Sequence, residues 1–336
     1  MSASPADRLD AFIAGEPGSR PERAAAPLAP TAAEARDRDE RIAVPAPSPA
    51  RQLAAEFVEN PFAVVGLVML VTIAVCAAGA PWIAPTDPYD LTRIDLMDAL
   101  QPPGSESVDG ATRFLLGSDA QGRDMLSAIL YGLRTSLLVG VASGLLALAL
   151  GMSLGLVAAY FGGWADTLLM RLVDLQLSFP SILVAMVLLA MLGQGVDKII
   201  LALVIVQWAY YARTVRGAAL AERSKEYVEA AISLGIGRRR VMFRHMLRNC
   251  LPPLLVVATV QVGNAISLEA TLSFLGLGLP VTEPSLGLLI SNGFAYLMSG
   301  RFWISIYPGI ALLVTIVAIN LVGDHLRDVL NPRLKR

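Results

Sequence analysis

Apolar residues along this chain gather into long charge-free runs. Five of them extend from Pro61 to Thr86, Thr135 to Ala165, Leu175 to Val196, Asn249 to Leu268 and Phe302 to Gly323. Each is long enough to cross a bilayer core as a helix. A further run, Ile199 to Ala212, is short; it spans only if Lys198 and Arg213 snorkel to the two interfaces. The pattern predicts an all-α integral membrane fold of six transmembrane helices. Two more apolar stretches, Ala270–Thr282 and Pro284–Gly300, are interrupted by Gly, Pro and Ser and read as re-entrant or interfacial structure at one face.

The second run places Gly140, Gly144, Ala147, Gly151 and Gly155 on one helical face. Small residues at that spacing let helix backbones approach closely in lipid. The strip serves either ordinary bundle packing or a sliding surface.

Loop charge orients the spans. Residues 213–248 carry nine Lys/Arg against three Glu, and the C-terminal tail adds Arg327, Arg333, Lys335 and Arg336. The positive-inside rule places both segments, and the N-terminus with them, in the cytoplasm. The 87–133 and 276–301 segments then face outward. In the outer loop Asp119, Gly122 and Asp124, standing before an apolar run, predict a capped turn or short helix.

Composition agrees with this reading. The 336 residues are 55% hydrophobic and 16% charged, with a mean hydropathy of +0.58, too apolar for a solvated surface. A net charge of −1 excludes a nucleic-acid binder's basic excess. Residues 1–50 are rich in Ala, Pro and charge and are expected to be a disordered tail. Cys76 and Cys250 fall near opposite membrane faces, which excludes a disulfide. Neither cysteine, nor His245 or His325, has partners at metal-ligand spacing, so no metal site is expected. The Gly-x4-Gly-Lys-Ser/Thr phosphate loop is also missing from the sequence.

A polar-faced segment stands out among the spans. Ser224 is a fair N-cap, Glu226 and Glu229 favour the positive helix end, and Gly235 is a fitting C-cap. Ala230, Ala231 and Leu234 form a small-residue strip that admits a close partner, with Tyr227 and Ile232 as apolar anchors. The Arg238–Arg239–Arg240 run that follows serves as an anchor on anionic headgroups, as a contact for an acidic partner rim, or as both.

Ionisable groups within spans are functional candidates. Arg171 and Asp174 are spaced to pair along one helix. Glu269 either lines a translocation path or satisfies backbone groups of the broken region after it. Gln261 and Asn264 face a wet pathway or hydrogen-bond across a helix interface, and Asp324 with Arg327 reads as an interface pair.

Glu229–Ala230–Ala231, three residues and Gly235 resemble the EAA loop of ABC-importer permease subunits. The family's following Leu-Pro is replaced here by Leu247–Arg248, with prolines at Pro252 and Pro253. Leu116–Gly117–Ser118–Asp119–Ala120–Gln121–Gly122–Arg123–Asp124 is similar to the outer-loop signature of peptide and nickel permeases. Pro308, Gly309, Asn320, Gly323, Asp324, Arg327 and Asp328 resemble that branch's C-terminal signature. Asn60–Pro61 fits its C-type member, and the resemblance covers about residues 51–336. It implies a type I importer fold: a first transmembrane module (51–86), a periplasmic loop (87–133), a five-helix core (134–325) with a coupling loop (213–248), and a cytoplasmic tail (326–336).

The resemblance also implies roles. Glu226, Tyr227, Glu229, Ala230, Ala231, Gly235, Arg238 and Arg239 would couple to a cytoplasmic ATPase, and Gln261, Asn264 and Glu269 are translocation-path candidates. The chain would hold no cofactor itself, since ATP and Mg²⁺ belong to two ATPase subunits. A related B-type permease would complete the pore in the bacterial inner membrane, and a periplasmic or lipid-anchored solute-binding protein would deliver di- or oligopeptides. Nickel complexes, glutathione and some sugars are alternative cargoes. An ion-gradient-driven transporter would need inverted repeats with helices broken at mid-membrane, which the sequence lacks. An intramembrane enzyme would need a catalytic constellation that the spans do not carry.

Overall fold

The computed structural model describes residues 55–90 and 95–330. The expected tail at 1–50 and residues 331–336 of the expected C-terminal tail lie outside the described residues. The described chain is helical, with two isolated β-bridges, Glu106 to Arg113 and Ser118 to Asp124, in the loop before the second long helix.

Helix α1 spans Pro61–Ala78; the Asn60 side chain accepts from the Phe62 N–H, and Pro61 opens the helix without wasting a donor. Helix α2 spans Met125–Phe161 and starts at Met125, upstream of the expected Thr135. The difference has a plain cause. Asp124 caps the helix by accepting from Ser127, and Arg134, the one charge near its start, points to an exposed position and interrupts nothing.

The expected third span is broken. Helices α3 (Gly163–Ser178) and α4 (Ser181–Leu192) meet at 92°. Pro180 forces the break: it disfavours helical geometry in the residue before it, and Phe179 is extended at φ −94°, ψ 142°. Helix α5, Val196–Arg223, is much longer than the expected 199–212 segment. Helix α6 covers Glu226–Ser233. Helix α7, Leu247–Phe274, follows a helical turn at Arg238–Arg240 and a π-helical turn at Val241–Met246. It continues past Leu268, where the sequence reading ended the span, because no chain-breaking conformation occurs before Gly276 at φ 77°. The short helix α8, Leu286–Phe294, folds back against α7, and α9 runs from Trp303 to Leu330.

Neighbour contacts give the directions. Gly151 of α2 faces Trp208 and Ala212 of α5, Gly155 faces Val215, and Arg223 reaches the Ala159 carbonyl, so α2 and α5 run parallel. The chain between them must therefore return across the bundle, which makes the bent α3–α4 pair one crossing. Five helices pass as single spans, and the pair completes six. Helix α7 is antiparallel to α2 (Gly140 against Ile266, Ser136 against Glu269) and to α9 (Gly263 against Ile319, Gly323 against Thr259). Asn60, His325 and helix α6 consequently share one end of the bundle. The 95–124 loop and α8 occupy the other.

The glycine strip of α2 packs. A Cβ at Gly151 would lie 2.3 Å from the Trp208 carbonyl oxygen, so the α2 and α5 backbones touch directly there.

Candidate functional site

Helix α6 begins after Lys225, which makes no side-chain cap bond. Ser224 is not its N-cap; its hydroxyl donates to Ala221 O and closes α5 instead. At the other end Leu234 is the C-cap and Gly235 follows it at φ 72°. Gly235 N–H donates to Ile232 O and Ile236 N–H to Ala231 O, the paired bonds of a Schellman stop, which requires a left-handed residue.

Val228 and Ala231 are buried in the core formed by Tyr211, Val215, Met242, Met246 and Leu254. This corrects one sequence reading: Ala231 points inward and is absent from the open face. That face is built from Glu226, Tyr227, Glu229, Ala230, Ile232, Ser233 and Leu234, with Leu234 80% exposed. Arg238, Arg239 and Arg240 are exposed next to it.

Sequence reasoning missed the device that fastens α6. Tyr227 Oη donates to Glu222 Oε2 at 2.6 Å, Lys225 Nζ meets Glu222 Oε1 at 2.5 Å, and Asn249 Nδ2 donates to Tyr227 Oη at 2.9 Å. Glu222 closes α5 and Asn249 opens α7, so three helices share one polar knot. Burial, and next the neighbouring Glu222 carboxylate, push the Tyr227 phenol above its ordinary pKa. One signal was available: Glu222 sits in the last turn of a helix, where an acid is disfavoured and wants cationic or donor partners.

The Arg171–Asp174 pairing does not form. Asp174 pairs with Arg213 of α5 at 2.5 Å and Asp166 with Arg216. Both bonds pin α3 to α5, because helix α5 extends past the expected snorkelling point and carries its arginines alongside α3. No ion pair joins Asp324 and Arg327 among the described residues; both are exposed, as is Asp328. His325 instead contacts Asn60 Nδ2 at 3.2 Å and stacks edge-on against Phe57, tying α9 to the segment before α1.

The outer-loop signature is a clasp. Asp119 accepts from the Gln121 and Arg123 backbone and bonds Arg123 Nε at 2.7 Å, with both side chains buried. Arg123 Nη1 reaches Val281 O, and Trp303 Nε1 donates to Ser118 O. Gly117 lies against the Trp303 indole, and Gly122 closes the turn. Burial raises the Asp124 pKa against the bonds from Ser127. Pro308 is buried inside α9, Gly309 beside it meets nothing, and Gly323 packs on Thr259. Asn320 lies across from Gly263.

The translocation-path candidates divide. Gln261 and Asn264 bond each other (2.9 Å) along α7 rather than across an interface, and both line an open cleft of about 350 Å³ with Ser181, Gln207, Tyr210 and Thr271. Glu269 is absent from that cleft. It is fully buried, accepting from Ser136 and Ser273 hydroxyls at 2.8 Å, and so joins α2 to α7.

Residues 151–336 match the model of the binding-protein-dependent transport system inner membrane component, and residues 48–103 that of the N-terminal TM domain of oligopeptide transport permease C. The chain is 40% identical over 289 residues to the di/tripeptide transport system permease protein DppC of Pseudomonas aeruginosa, covering 86% of this chain and 94% of that protein. It is 42% identical over 296 residues to the dipeptide transport system permease protein DppC of Escherichia coli, covering 88% and 97%. A solved inward-facing structure of the MetNI methionine ABC transporter aligns with a TM-score of 0.51 at 18% identity, over 62% of this chain and 98% of that one. At that identity the likeness speaks for the fold alone.

Proposed function

This chain belongs to the binding-protein-dependent transport system inner membrane component family, and on that premise we propose that it forms one half of a peptide-import pore driven by separate ATPases. The observation that carries the proposal is the two-sided character of α6. Its inner face is locked to α5 and α7 by Val228, Ala231 and the Tyr227–Glu222–Asn249 knot, and its outer face is left open. A push on the outer face therefore reaches two spans directly.

The partners proposed are a related B-type permease, two cytoplasmic ATPases that bind ATP and Mg²⁺, and a solute-binding protein on the far side. The membrane is the bacterial inner membrane, with the α6 end, and both chain termini, in the cytoplasm; the basic excess of residues 213–248 supports that orientation. Di- or oligopeptides are the proposed cargo, in line with the names of the relatives. ATPase closure would draw the coupling helices together and re-pack the bundles toward the outside, and hydrolysis would reset them. The coupling helix must bind the two ATPase states unequally for ATP to bias the pore.

The test is reconstitution in proteoliposomes. Dipeptide uptake that needs ATP, both permeases and the binding protein supports the proposal. Gradient-driven uptake by this chain alone would overturn it.

A further inference from the structure

Arg171 stands on α3 with its charge unmatched. It is exposed, and among the described residues no acid pairs with it, because Arg213 has taken Asp174, the carboxylate one turn away. An unpaired charge on a membrane-crossing segment is a functional candidate, since lipid does not solvate it. Asp174 is itself open. Its side chain is 60% exposed, and Arg213 Nη2 engages only its Oδ1. Exposed ion pairs add little stability, so the worth of this one as a brace is small. The neighbouring Asp166–Arg216 pair, with side chains 19% and 33% exposed, is the more sheltered pin between α3 and α5.

Two helices lead from the polar cleft to this place. Ser181, at the start of α4, and Tyr210 of α5 both line the cleft. Back across the break from Ser181 the chain enters α3, the half of the crossing nearer the α6 end. Onward from Tyr210, Arg213 stands one turn further toward that same end. The unpaired guanidinium and the open carboxylate therefore lie between the cleft and the α6 end, both within reach of water.

A cation and an anion side by side match a ligand that carries the opposite two charges on a short frame. Side chains three apart on a helix stand about 5–6 Å from one another at Cβ, and two residues of extended chain span at most about 7 Å. We propose that Arg171 and Asp174 form a binding station for the two charged termini of a free dipeptide, on the α6 side of the cleft. Arg171 donates to the terminal carboxylate, and Asp174 Oδ2 accepts from the terminal ammonium. The proposal rests on the peptide-import reading. No bond of the protein has to break, because Arg213 keeps Oδ1 and holds the carboxylate in position. Water around the station weakens both contacts, which suits a site that must release what it binds. A longer peptide can place only one of its termini here at a time, so the station favours dipeptides.

The experiment uses the complete importer, purified in detergent, and a dipeptide with a diazirine side chain and free termini. The comparison probe is the same dipeptide with its carboxylate converted to an amide. Photolabelled segments are located by mass spectrometry. The free dipeptide should label α3 and α5 around Arg171 and Arg213 about tenfold more than its amide does, the effect of one charged hydrogen bond. Arg171→Gln should erase that preference and Arg171→Lys should retain it. Asp166→Asn, which alters only the neighbouring pin, should leave it unchanged. Equal labelling by the two probes, label absent from both helices, or a preference that survives Arg171→Gln overturns the proposal. So does an equal loss in Asp166→Asn, since the seating of α3 would then be what matters. Failure of Arg171→Gln to co-purify with the second permease, with Arg171→Lys assembling but showing no preference, assigns the residue to the subunit interface and also overturns it. ATP-dependent uptake of the free dipeptide by wild-type proteoliposomes is measured separately; its absence defeats the peptide-import reading, whatever the labelling shows.

Discussion

Tyr227 Oη lies 2.6 Å from Glu222 Oε2, so the open helix α6 is fastened to the last turn of span α5 through one charge-assisted hydrogen bond. Asn249 adds the start of α7 to the same oxygen pair. The knot makes α6 a lever rather than a free loop.

Tyr227→Phe keeps the ring and removes that bond, a loss of about 1.5–3 kcal/mol for a charged acceptor. Glu222 retains Lys225 and Asn249, so the protein should still fold and assemble. ATP hydrolysed per peptide imported should rise several-fold. Paired hydrolysis and uptake assays check this, and an unchanged ratio would refute the lever.

Neighbouring alanines should behave oppositely. Ala231 is buried in the core, and Ala231→Glu places a charge there; the variant should lose folded yield and melt earlier in detergent. Ala230 is exposed, and Ala230→Glu should leave the melting temperature unchanged while abolishing stimulation of the ATPase by substrate-loaded binding protein.

Close backbone packing gives a glycine contrast. Gly151→Ala would set a methyl 2.3 Å from the Trp208 carbonyl oxygen, and overpacking of this kind costs about 1–3 kcal/mol. Gly217, on the exposed side of α5, meets nothing within 4 Å. Gly217→Ala should therefore be neutral or stabilising by up to about 1 kcal/mol. Thermal unfolding of the two variants in detergent decides the matter.

Burial raises the Asp124 pKa, so the folded chain holds that proton more tightly than the unfolded chain. The associated stability is fully present below the ordinary carboxylate pKa and is lost as pH rises through the raised value. Asp124→Asn retains a good N-cap and removes the titration. Melting temperatures measured from about pH 4 to about pH 7 should fall more steeply for the wild type than for Asp124→Asn; parallel profiles would refute the assignment.

Run length and local chain chemistry made much of the fold legible. Five charge-free runs correspond to crossings, and the Glu-Ala-Ala segment forms the expected short helix with its stop at Gly235, a local signal, although the N-cap expected at Ser224 does not form. The apolar run continues across the break at Phe179–Pro180, and hydrophobicity is blind to the constraint a proline puts on the residue before it. Asp174 illustrates a second limit: Arg171 has the sequence spacing to pair with it, but the packing of α3 on α5 brings Arg213 to it instead. Ala230 and Ala231 illustrate a third. They are chemically identical, and which one turns inward is set by Met242 and Met246 on the returning chain. For Glu269 the sequence leaves open a translocation path or backbone groups of the broken region after it, whereas its donors are serine hydroxyls, one of them Ser136 on another helix, which spacing along the chain does not reveal.

Docking of an ATPase on the open face of α6 is the central claim. Ala230→Cys, made in a chain whose native Cys76 and Cys250 are replaced, should form a bifunctional cross-link to an ATPase subunit in the assembled importer, with a yield that changes when ATP is bound. Labelling of the introduced thiol by an impermeant reagent added from the periplasmic side, or no cross-link to an ATPase in an active complex, would contradict it.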